Sequence, residues 1–422
     1  MAAGAPVSMK VLHVTQGYYP AIGGTEWLIQ QVSEELAGRY GDQVTVYTTN
    51  CYSGEAFSSP RLARMASGCE RHNEVDIRRF PVSSRISRLF RLPQAIAYNL
   101  GLPGNQYLRS LYGGPIIPGL GKAIREHPAE VIAASSFPLL HMFTALEAAQ
   151  ATGRPCVLHG GLHPQDEWGF GRPMIFQAIQ KATRYIANTE YEARYVIERG
   201  ADPEKVCTIG VGVDPSVFSG VTTEEAKRRL GLEGKTVVGF IGQLGGHKGV
   251  DTLIRAMPMV WQAAPGTHFL IAGARTLFAR RMEKMIEQLP EREREKVLLH
   301  YNFPEEEKAW LFAALDIFAY PSGYESFGIA FLEAWMAGKP VIGCWRGAVP
   351  WVVHAGRDGL LVDYQDETML AEAILSLLNN PGWRRALGQA GREKVLARYT
   401  WPEIARRFRQ VYLEALKDRP IP

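Results

Sequence analysis

Short apolar runs alternate with longer segments of helical spacing along most of the chain. Runs such as 10–15 and 236–241 are apolar at nearly consecutive positions, which is typical of parallel strands covered on both faces. Segments such as 27–39 and 249–264 carry their apolar residues at helical spacing. This alternation predicts an α/β fold in which helices cover both faces of parallel sheets.

Strands are predicted throughout the chain, at 10–15, 43–48, 130–134, 155–159, 185–188, 205–209, 236–241, 268–272, 297–300, 317–320 and 340–343. Helices are predicted between many of them, for example at 27–39, 249–264, 305–314, 327–337 and 401–416. Ligands of such sheets bind beyond the carboxyl ends of the strands, so the turns after the strands should hold the chemistry.

The length of the chain predicts two domains. A chain of 422 residues exceeds the size at which a single core stops growing. We place the boundary near 199–203, which gives one Rossmann-like domain at 1–200 and a second at 201–400. No strand follows the last helix, so residues 401–422 are expected to pack back on the first domain.

The composition excludes several classes of protein. Apolar residues make up 46% of the chain and charged residues 21%, with a net charge of +4, which is ordinary for a globular protein and does not favour nucleic acid. Five scattered cysteines and the sequence at the start, which does not resemble a signal peptide, predict a cytoplasmic protein with no disulfides. Neither a membrane-spanning run nor a metal-binding pattern is found in the sequence.

Residues 61–91 differ from the rest of the chain in charge. They contain eight arginines and only three acidic residues. Arg85, Arg88 and Arg91 recur every three residues, with Ile86 and Leu89 between them, so a helix here would have a basic amphipathic surface. Peripheral contact with an anionic membrane is one interpretation, and a solvated helix or loop near the acceptor site is the other.

Glu325 and Glu333 form the most informative pattern in the sequence. Glu325 follows a predicted strand, and Glu333 lies further on, after seven intervening residues, in a predicted helix that is apolar on nearly all sides. A carboxylate is costly to bury without a partner, which favours a functional role over a solvated helix face. The turn between the strand and the helix would direct backbone N–H groups at an anion. Together these groups suit a nucleotide sugar, which has a diphosphate and several hydroxyls.

Three further turns carry candidate groups. Gly23 and Gly24 follow the first strand, where paired glycines allow close approach to a phosphate or simply shape the turn. Lys248 lies in a glycine-rich turn, where it is either a cation for phosphate or a solvent-exposed lysine. His159 ends a strand, and it either hydrogen-bonds a ligand or is satisfied within the domain wall.

In order, these pieces resemble the retaining glycosyltransferases of family 4, which have the GT-B fold. The resemblance covers nearly the whole chain. Its most specific part is the segment from Glu325 to Glu333 with Phe327 and Gly328 between them. The GT-B fold implies two Rossmann-like domains that face each other across a cleft, with the acceptor on the first domain and the nucleotide sugar on the second.

The resemblance implies a role for each residue of the second domain. Glu333 would hold the ribose hydroxyls, and Glu325 would act in catalysis by contacting the transferred sugar. Lys248 would act in catalysis by contacting the diphosphate. The remaining donor-binding positions implied by the resemblance are Gln243, Ser326, Phe327, Gly328 and Ile329.

For the first domain, the resemblance implies that Gly23 and Gly24 contact the diphosphate and that His159 acts in catalysis near the donor sugar. It implies no metal and no cofactor. The donor would be a nucleoside diphosphate sugar, UDP- or GDP-linked, and the hexose would pass to an acceptor hydroxyl with retention of configuration. The acceptor would be a glycan, a lipid or a small molecule.

One departure from the family pattern keeps other functions open. The family usually has Arg where this chain has Gln243, so one phosphate cation is missing unless Arg275 or Arg346 replaces it. A non-catalytic partner that binds nucleotide sugars would tolerate this loss. A nucleotide-sugar epimerase on the same fold is a further alternative, although it would need more acid and base groups than the sequence offers.

Overall fold

A computed structural model describes residues 8–21 and 23–418 of the chain. The chain forms two compact units. The first unit contains the described residues up to Gly210 and those from Trp401 onward, and the second unit is Val211–Thr400. The predicted boundary at 200/201 is therefore ten residues too early. The cause is the segment Val206–Thr208, which pairs in parallel with Arg184–Ala187 and so extends the first sheet.

The first unit contains an eight-stranded sheet of order β3-β4-β2-β1-β5-β6-β7-β8, in which only β3 is antiparallel to its neighbour among the described strands. Its strands are β1 (Lys10–Val14), β2 (Gln43–Thr49), β3 (Gly68–His72), β4 (Val75–Phe80), β5 (Val131–Ser135), β6 (Cys156–His159), β7 (Arg184–Ala187) and β8 (Val206–Thr208). Central strands such as β5 and β6 are buried at every position, as expected of a parallel sheet covered on both faces.

Helices cover this sheet. They are α1 (Gly24–Tyr40), α2 (Ser84–Leu89), α3 (Arg91–Asn99), α4 (Asn105–Gly113), α5 (Leu120–Glu126), α6 (Leu140–Ala151), α7 (Glu167–Phe170), α8 (Pro173–Lys181) and α9 (Glu190–Ile197). One core contains side chains of the sheet together with side chains of α6 and α8, including Leu158, Met142 and Ile175.

The second unit contains a six-stranded parallel sheet of order β11-β10-β9-β12-β13-β14. Its strands are β9 (Thr236–Ile241), β10 (Thr267–Gly273), β11 (Val297–Tyr301), β12 (Ile317–Ala319), β13 (Val341–Cys344) and β14 (Gly359–Val362). Its helices are α10 (Thr223–Arg229), α11 (Val250–Ala263), α12 (Ala279–Glu287), α13 (Glu291–Arg294), α14 (Lys308–Ala313), α15 (Ile329–Met336), α16 (Val349–Val352), α17 (Glu367–Asn379) and α18 (Pro381–Arg398). This strand order is that of the doubly wound dinucleotide-binding folds.

The last helix, α19 (Trp401–Lys417), belongs to the first unit, where it packs against α1. Trp401 and Trp27 meet edge to face at 6.5 Å. Arg409 forms a buried ion pair with Asp42 over 2.8 Å. Its side chain therefore anchors the helix to the turn before β2, 367 residues away along the chain.

All eleven predicted strands are confirmed, with shifts of one residue at some ends. Three further strands were not predicted: β3, β4 and β14. The described helices include none that is long and apolar enough to cross a membrane. The five cysteines are free thiols.

The basic segment at 61–91 is not a single helix. Residues of β3 and β4 form a hairpin within it, with Asn73 and Glu74 at positive φ in the turn. The chain then forms α2 and α3, which are separated at Phe90. Arg85 and Arg88 therefore lie on one short helix, and Arg91 begins the next.

Candidate functional site

An ion pair joins two turns of the second unit. Lys248 ends the 3₁₀ helix Gly246–Lys248 after β9, and Glu325 lies in the turn after β12. Lys248 Nζ donates to Glu325 Oε1 over 2.7 Å and to the Tyr324 carbonyl over 3.3 Å. Strands β9 and β12 are neighbours, and the strand order changes direction between them. Open α/β sheets bind their ligands at such a switch point.

Gly249 allows these two turns to approach. Its φ is 78°, in the left-handed region, and a Cβ there would lie only 2.3 Å from the carbonyl oxygen of Pro321. Any side chain at this position would separate the turn that carries Lys248 from the turn that carries Glu325. The glycine after the lysine is therefore required for the ion pair.

The carboxylate of Glu325 is held in a largely dry position. Only 9% of the residue is exposed. The buried Tyr320 hydroxyl faces it: burial raises the pKa of Tyr320 well above its usual value, and the hydrogen-bonded carboxylate of Glu325 adds to the increase. Glu325 is thus contacted by a cation and a neutral donor, and both orient its oxygens.

The N-terminus of α15 provides unused amide donors beside this pair. Gly328 is the N-cap residue of this helix, with a φ of 96°, and as a glycine it has no side chain that could cap the helix. In the part of the chain that the structure describes, the amides of Ser326, Phe327 and Gly328 donate no hydrogen bond to the protein. Those of Ile329 and Ala330 belong to the first helical turn, where no intrahelical acceptor is available. A helix N-terminus of this kind favours an anion.

Glu333 lies in the second turn of α15 and has a different partner from Glu325. It accepts a hydrogen bond from Lys308 Nζ of α14 over 3.0 Å. Burial raises the pKa of Glu333, and Lys308 partly opposes the increase. For Lys308, burial acts to lower the pKa, but the carboxylates of Glu333 and Glu305 outweigh it, so the pKa is raised. The two carboxylates of the motif therefore each hold their own lysine.

Two arginines could replace the missing phosphate cation, and only one of them has no carboxylate partner among the described residues. Gln243 follows β9 with an exposed side chain. Arg275 forms an ion pair with Glu283 over 2.9 Å. Arg346 follows β13, and its guanidinium lies 5.2 Å from the ring of Tyr324 and 4.4 Å from that of Tyr364. No carboxylate of the described residues pairs with Arg346.

In the first unit, His159 is buried at the end of β6. Its Nε2 lies 2.8 Å from the amide oxygen of Asn188, and its ring packs 5.7 Å from that of Phe408. Burial lowers the pKa of His159 to about 4, so the ring is neutral near pH 7. With Nε2–H donated to Asn188, Nδ1 is left as an acceptor that finds no partner among the described residues.

A buried carboxylate fixes the turn that follows His159. Glu192 accepts hydrogen bonds from the Tyr185 hydroxyl at 2.6 Å and from the Leu162 amide at 3.1 Å. Burial raises the pKa of Glu192 to about 7. Gly160 is required here, because a Cβ would lie 1.6 Å from the Tyr185 hydroxyl.

Gly23 and Gly24 lie at the start of α1, after β1. Gly23 is the N-cap, and it has no side chain with which to cap the helix. Glu26 covers the turn: a Cβ on Gly23 would lie 2.2 Å from Glu26 Oε2, and Gln16 donates to Glu26 Oε1 over 3.1 Å. This turn therefore already contains a carboxylate, which disfavours a second anion unless Glu26 moves.

The sequence interpretation missed three residues of these sites: Asn188, Glu192 and Lys308. A local signal exists for one of them. Thr189 and Glu192 have the Thr-x-x-Glu spacing of a helix N-terminus, and the Thr189 hydroxyl accepts from the Glu192 amide. The described residues contain no group of three side chains suited to a metal ion, and metal independence stays a prediction.

Two protein families match the chain in succession. The family described as "Glycosyl transferase 4-like domain" matches residues 23–212, and the family described as "Glycosyl transferases group 1" matches residues 222–394. The first match covers most of the first unit before α19, and the second covers the sheet that carries Lys248, Glu325 and Glu333.

Among curated proteins, the chain is similar to D-inositol 3-phosphate glycosyltransferases. That of Segniliparus rotundus is 33% identical over 247 residues, which are 57% of this chain and 54% of the relative. That of Corynebacterium diphtheriae is 31% identical over 251 residues, 57% of this chain and 58% of the relative. The similarity thus spans little more than half the length of these relatives.

Solved structures share the fold. Anabaena Alr3699/HepE in complex with UDP superposes with a TM-score of 0.73 at 19% identity, over 96% of this chain and all of the other. Sucrose-phosphate synthase from Thermosynechococcus elongatus gives a TM-score of 0.70 at 21% identity, over 97% of this chain and 99% of the other. One family match lies on each of the two α/β units, and the solved structures share the fold of the whole chain. The chain therefore belongs to glycosyltransferase family 4 and has the GT-B fold.

Proposed function

We propose that the protein is a retaining hexosyltransferase that uses a nucleoside diphosphate sugar, UDP- or GDP-linked, and transfers the hexose to an acceptor hydroxyl. The observation that carries this proposal is the position of the Lys248–Glu325 pair. It lies at the switch point of the second sheet, on the turn that leads to the uncapped N-terminus of α15. A cation, a carboxylate and free amides at one point suit a ligand that is anionic at one end and hydroxylated at the other.

The diphosphate would occupy the N-terminus of α15. The free amides of Phe327, Gly328 and Ile329 would donate to its oxygens, and Lys248 would contact it as a cation. In binding, Lys248 would exchange the Glu325 carboxylate for phosphate. Glu325 would then accept hydrogen bonds from the hydroxyls of the sugar, and Glu333, held by Lys308, would accept from those of the ribose.

The reaction would break the bond between the anomeric carbon and the diphosphate oxygen and form a bond from that carbon to the acceptor oxygen on the same face. The acceptor proton would pass to an oxygen of the departing diphosphate, so no enzymic base would be needed. His159 would take part as a neutral hydrogen-bond acceptor through Nδ1, because its Nε2–H is directed to Asn188. The work of the protein would be positioning and stabilisation of the leaving group. Metal independence belongs to this proposal, because Lys248 and the helix terminus would balance the charge of the diphosphate.

An anionic acceptor is supported by two buried arginines of the first unit. Arg109 and Arg172 are 4% and 1% exposed, and neither forms an ion pair with a carboxylate of the described residues. Both donate to the carbonyl of Trp168, and Arg109 Nε finds no acceptor in the described part of the chain. The carboxylates of Asp166 and Glu167 act on Arg109, and that of Asp166 acts on Arg172, only from beyond ion-pair distance. Because buried cations without a paired anion are costly, a phosphate on the acceptor would compensate them directly. We therefore propose a phosphorylated polyol, the kind of acceptor that the name of the curated relatives implies.

The test begins with thermal unfolding in the presence of UDP-glucose, UDP-N-acetylglucosamine, GDP-mannose, ADP-glucose and the free diphosphates. A ligand at about 100 times its dissociation constant adds about 2.7 kcal/mol to the unfolding free energy. The ligand that stabilises the protein is then supplied with phosphorylated and unphosphorylated polyols, and the anomeric configuration of the product is read by NMR.

Retained configuration on a phosphorylated product would support the proposal. Inverted configuration would refute the retaining mechanism. Stabilisation by a nucleotide sugar with neither transfer nor slow donor hydrolysis would favour the non-catalytic partner, which Gln243 keeps as the second candidate. If none of these ligands stabilises the protein, the donor site itself is refuted.

A further inference from the structure

An exposed apolar surface covers α2, α3 and the start of α4 in the first unit. Eight of the eighteen large apolar side chains that are exposed in the described part of the chain lie between positions 86 and 107. Leu89, Leu92 and Leu100 are 74%, 72% and 68% exposed, and Ile96 is 56% exposed. Exposed apolar residues are normally scattered, so a concentration of this kind marks a site of interaction.

The spacing of these side chains places them on one side. Leu92, Ile96 and Leu100 are four residues apart along α3 and its C-cap, so they follow one face of the helix. Gln94 and Ala97, on the opposite face, are buried. The helix is therefore fixed to the protein by one face and presents an apolar ridge to solvent with the other.

The charged side chains within residues 85–107 have a single sign. Arg85, Arg88 and Arg91 are exposed and form no ion pair with another described residue. No acidic residue occurs between Asp76 and Glu126. Apolar side chains beside unpaired arginines match the interface of an anionic bilayer, where the apolar groups enter the acyl boundary and the arginines contact lipid phosphates.

We propose that this surface, formed by residues 85–107, docks the protein on an anionic membrane. A second copy of the chain fits the surface less well. A two-fold interface would place the same three arginines of both copies together without a carboxylate, and like charges at an interface are unfavourable. The proposed surface lies further along the chain than the membrane-contact region predicted at 61–91, because residues 68–80 of that region form the hairpin of β3 and β4. The inference does not depend on the identity of the donor or the acceptor.

The test is flotation of the full-length protein with phosphatidylcholine vesicles and with vesicles that also contain phosphatidylglycerol. We expect binding to the anionic vesicles only, weakening as salt is raised. The triple substitution R85Q/R88Q/R91Q should weaken binding by about fivefold for each arginine. The double substitution L92E/I96E should abolish binding.

The matched control is the double substitution L277E/L396E, which alters two exposed leucines of the second unit. All the substituted side chains are exposed, so the fold should survive each change, and far-UV circular dichroism checks this. The proposal is overturned if the wild-type protein binds neither vesicle, or if L92E/I96E and the control bind anionic vesicles equally well. It is also overturned if the wild-type protein does not bind vesicles but forms a concentration-dependent dimer in sedimentation that L92E/I96E abolishes. The surface would then join two copies of the chain.

Discussion

Gln243 offers the sharpest perturbation of the proposed donor site. Replacing it with arginine would introduce the phosphate cation that the family usually has there. The side chain is exposed after β9, so the larger arginine buries nothing new. Lys248 already pairs with Glu325 over 2.7 Å, so we do not expect the new guanidinium to form an ion pair with that carboxylate. We expect Gln243→Arg to strengthen the binding of nucleoside diphosphates.

The expected gain follows from the exposure of the site. A unit charge about 4 Å from another gives about 1 kcal/mol in water and about 4 kcal/mol near a protein surface. Because Gln243 is exposed, the lower half of this range applies, and about 1–2 kcal/mol corresponds to about five- to thirtyfold in the dissociation constant. The gain should shrink at about 1 M salt, where the screening length falls to about 3 Å.

Isothermal titration calorimetry with UDP or GDP measures this gain, and the nucleoside without phosphate is the control ligand. If Arg346 replaces the missing cation in the wild type, Arg346→Met should weaken diphosphate binding and leave nucleoside binding unchanged. Adding Gln243→Arg to that variant should restore the loss. Arg275→Met is the control substitution, because Arg275 is paired with Glu283 and should not affect binding. Weaker or unchanged diphosphate binding by Gln243→Arg would refute the reasoning.

Three further outcomes are expected. Lys248→Met should abolish transfer and lower the unfolding free energy, measured by urea unfolding, by about 1–3 kcal/mol, because Glu325 loses its partner. Adding Glu325→Gln to this variant should restore the stability but not the transfer. A stability loss that persists in the double variant would count against the pair. Glu333→Gln should weaken nucleoside binding and leave pyrophosphate binding unchanged, as titration would reveal; an equal loss for both ligands would remove Glu333 from the ribose site. Burial raises the pKa of Glu192 to about 7 from 4.5, so the group favours folding fully below pH 4.5 and this contribution is lost as the pH rises through 7. Each pH unit between the unfolded and folded pKa values corresponds to about 1.4 kcal/mol, which gives about 3 kcal/mol in all, and Glu192→Gln should remove that slope from unfolding curves measured across this range. Equal slopes in both proteins would show that the carboxyl titrates normally.

The strands could be predicted from the sequence because parallel strands buried on both faces are continuous apolar runs. β3 could not, since its five residues, Gly68–His72, are almost entirely exposed at the edge of the sheet. β4 alternates buried and exposed positions over most of its length, but the adjacent Arg78 and Arg79 interrupt the alternation of apolar and polar residues in the sequence. β14 was missed although it is as long as β6 and β13, which were predicted, so its length of four residues does not explain the omission.

The candidate side chains could be singled out in the sequence, but their partners could not be predicted. Lys248 and Glu325 are 77 residues apart and meet because β9 and β12 are adjacent. Lys308 reaches Glu333 from a neighbouring helix. Such pairings depend on which strands and helices are neighbours, and neither periodicity nor motif spacing contains that information. The Thr189–Glu192 cap was visible in the sequence, but its link to the turn after His159 depends on the sheet.

If the proposed donor site is correct, the ion pair at the switch point makes the two halves of the donor act together. Without ligand, Lys248 and Glu325 satisfy each other. A bare diphosphate that attracts Lys248 leaves a nearly buried Glu325 without its cation, which is costly. A nucleoside alone offers nothing to Lys248. Only a molecule with both a diphosphate and a sugar supplies a new partner to each side chain. The intact nucleotide sugar should therefore bind more tightly than the nucleoside diphosphate, and Glu325→Gln should remove most of that difference.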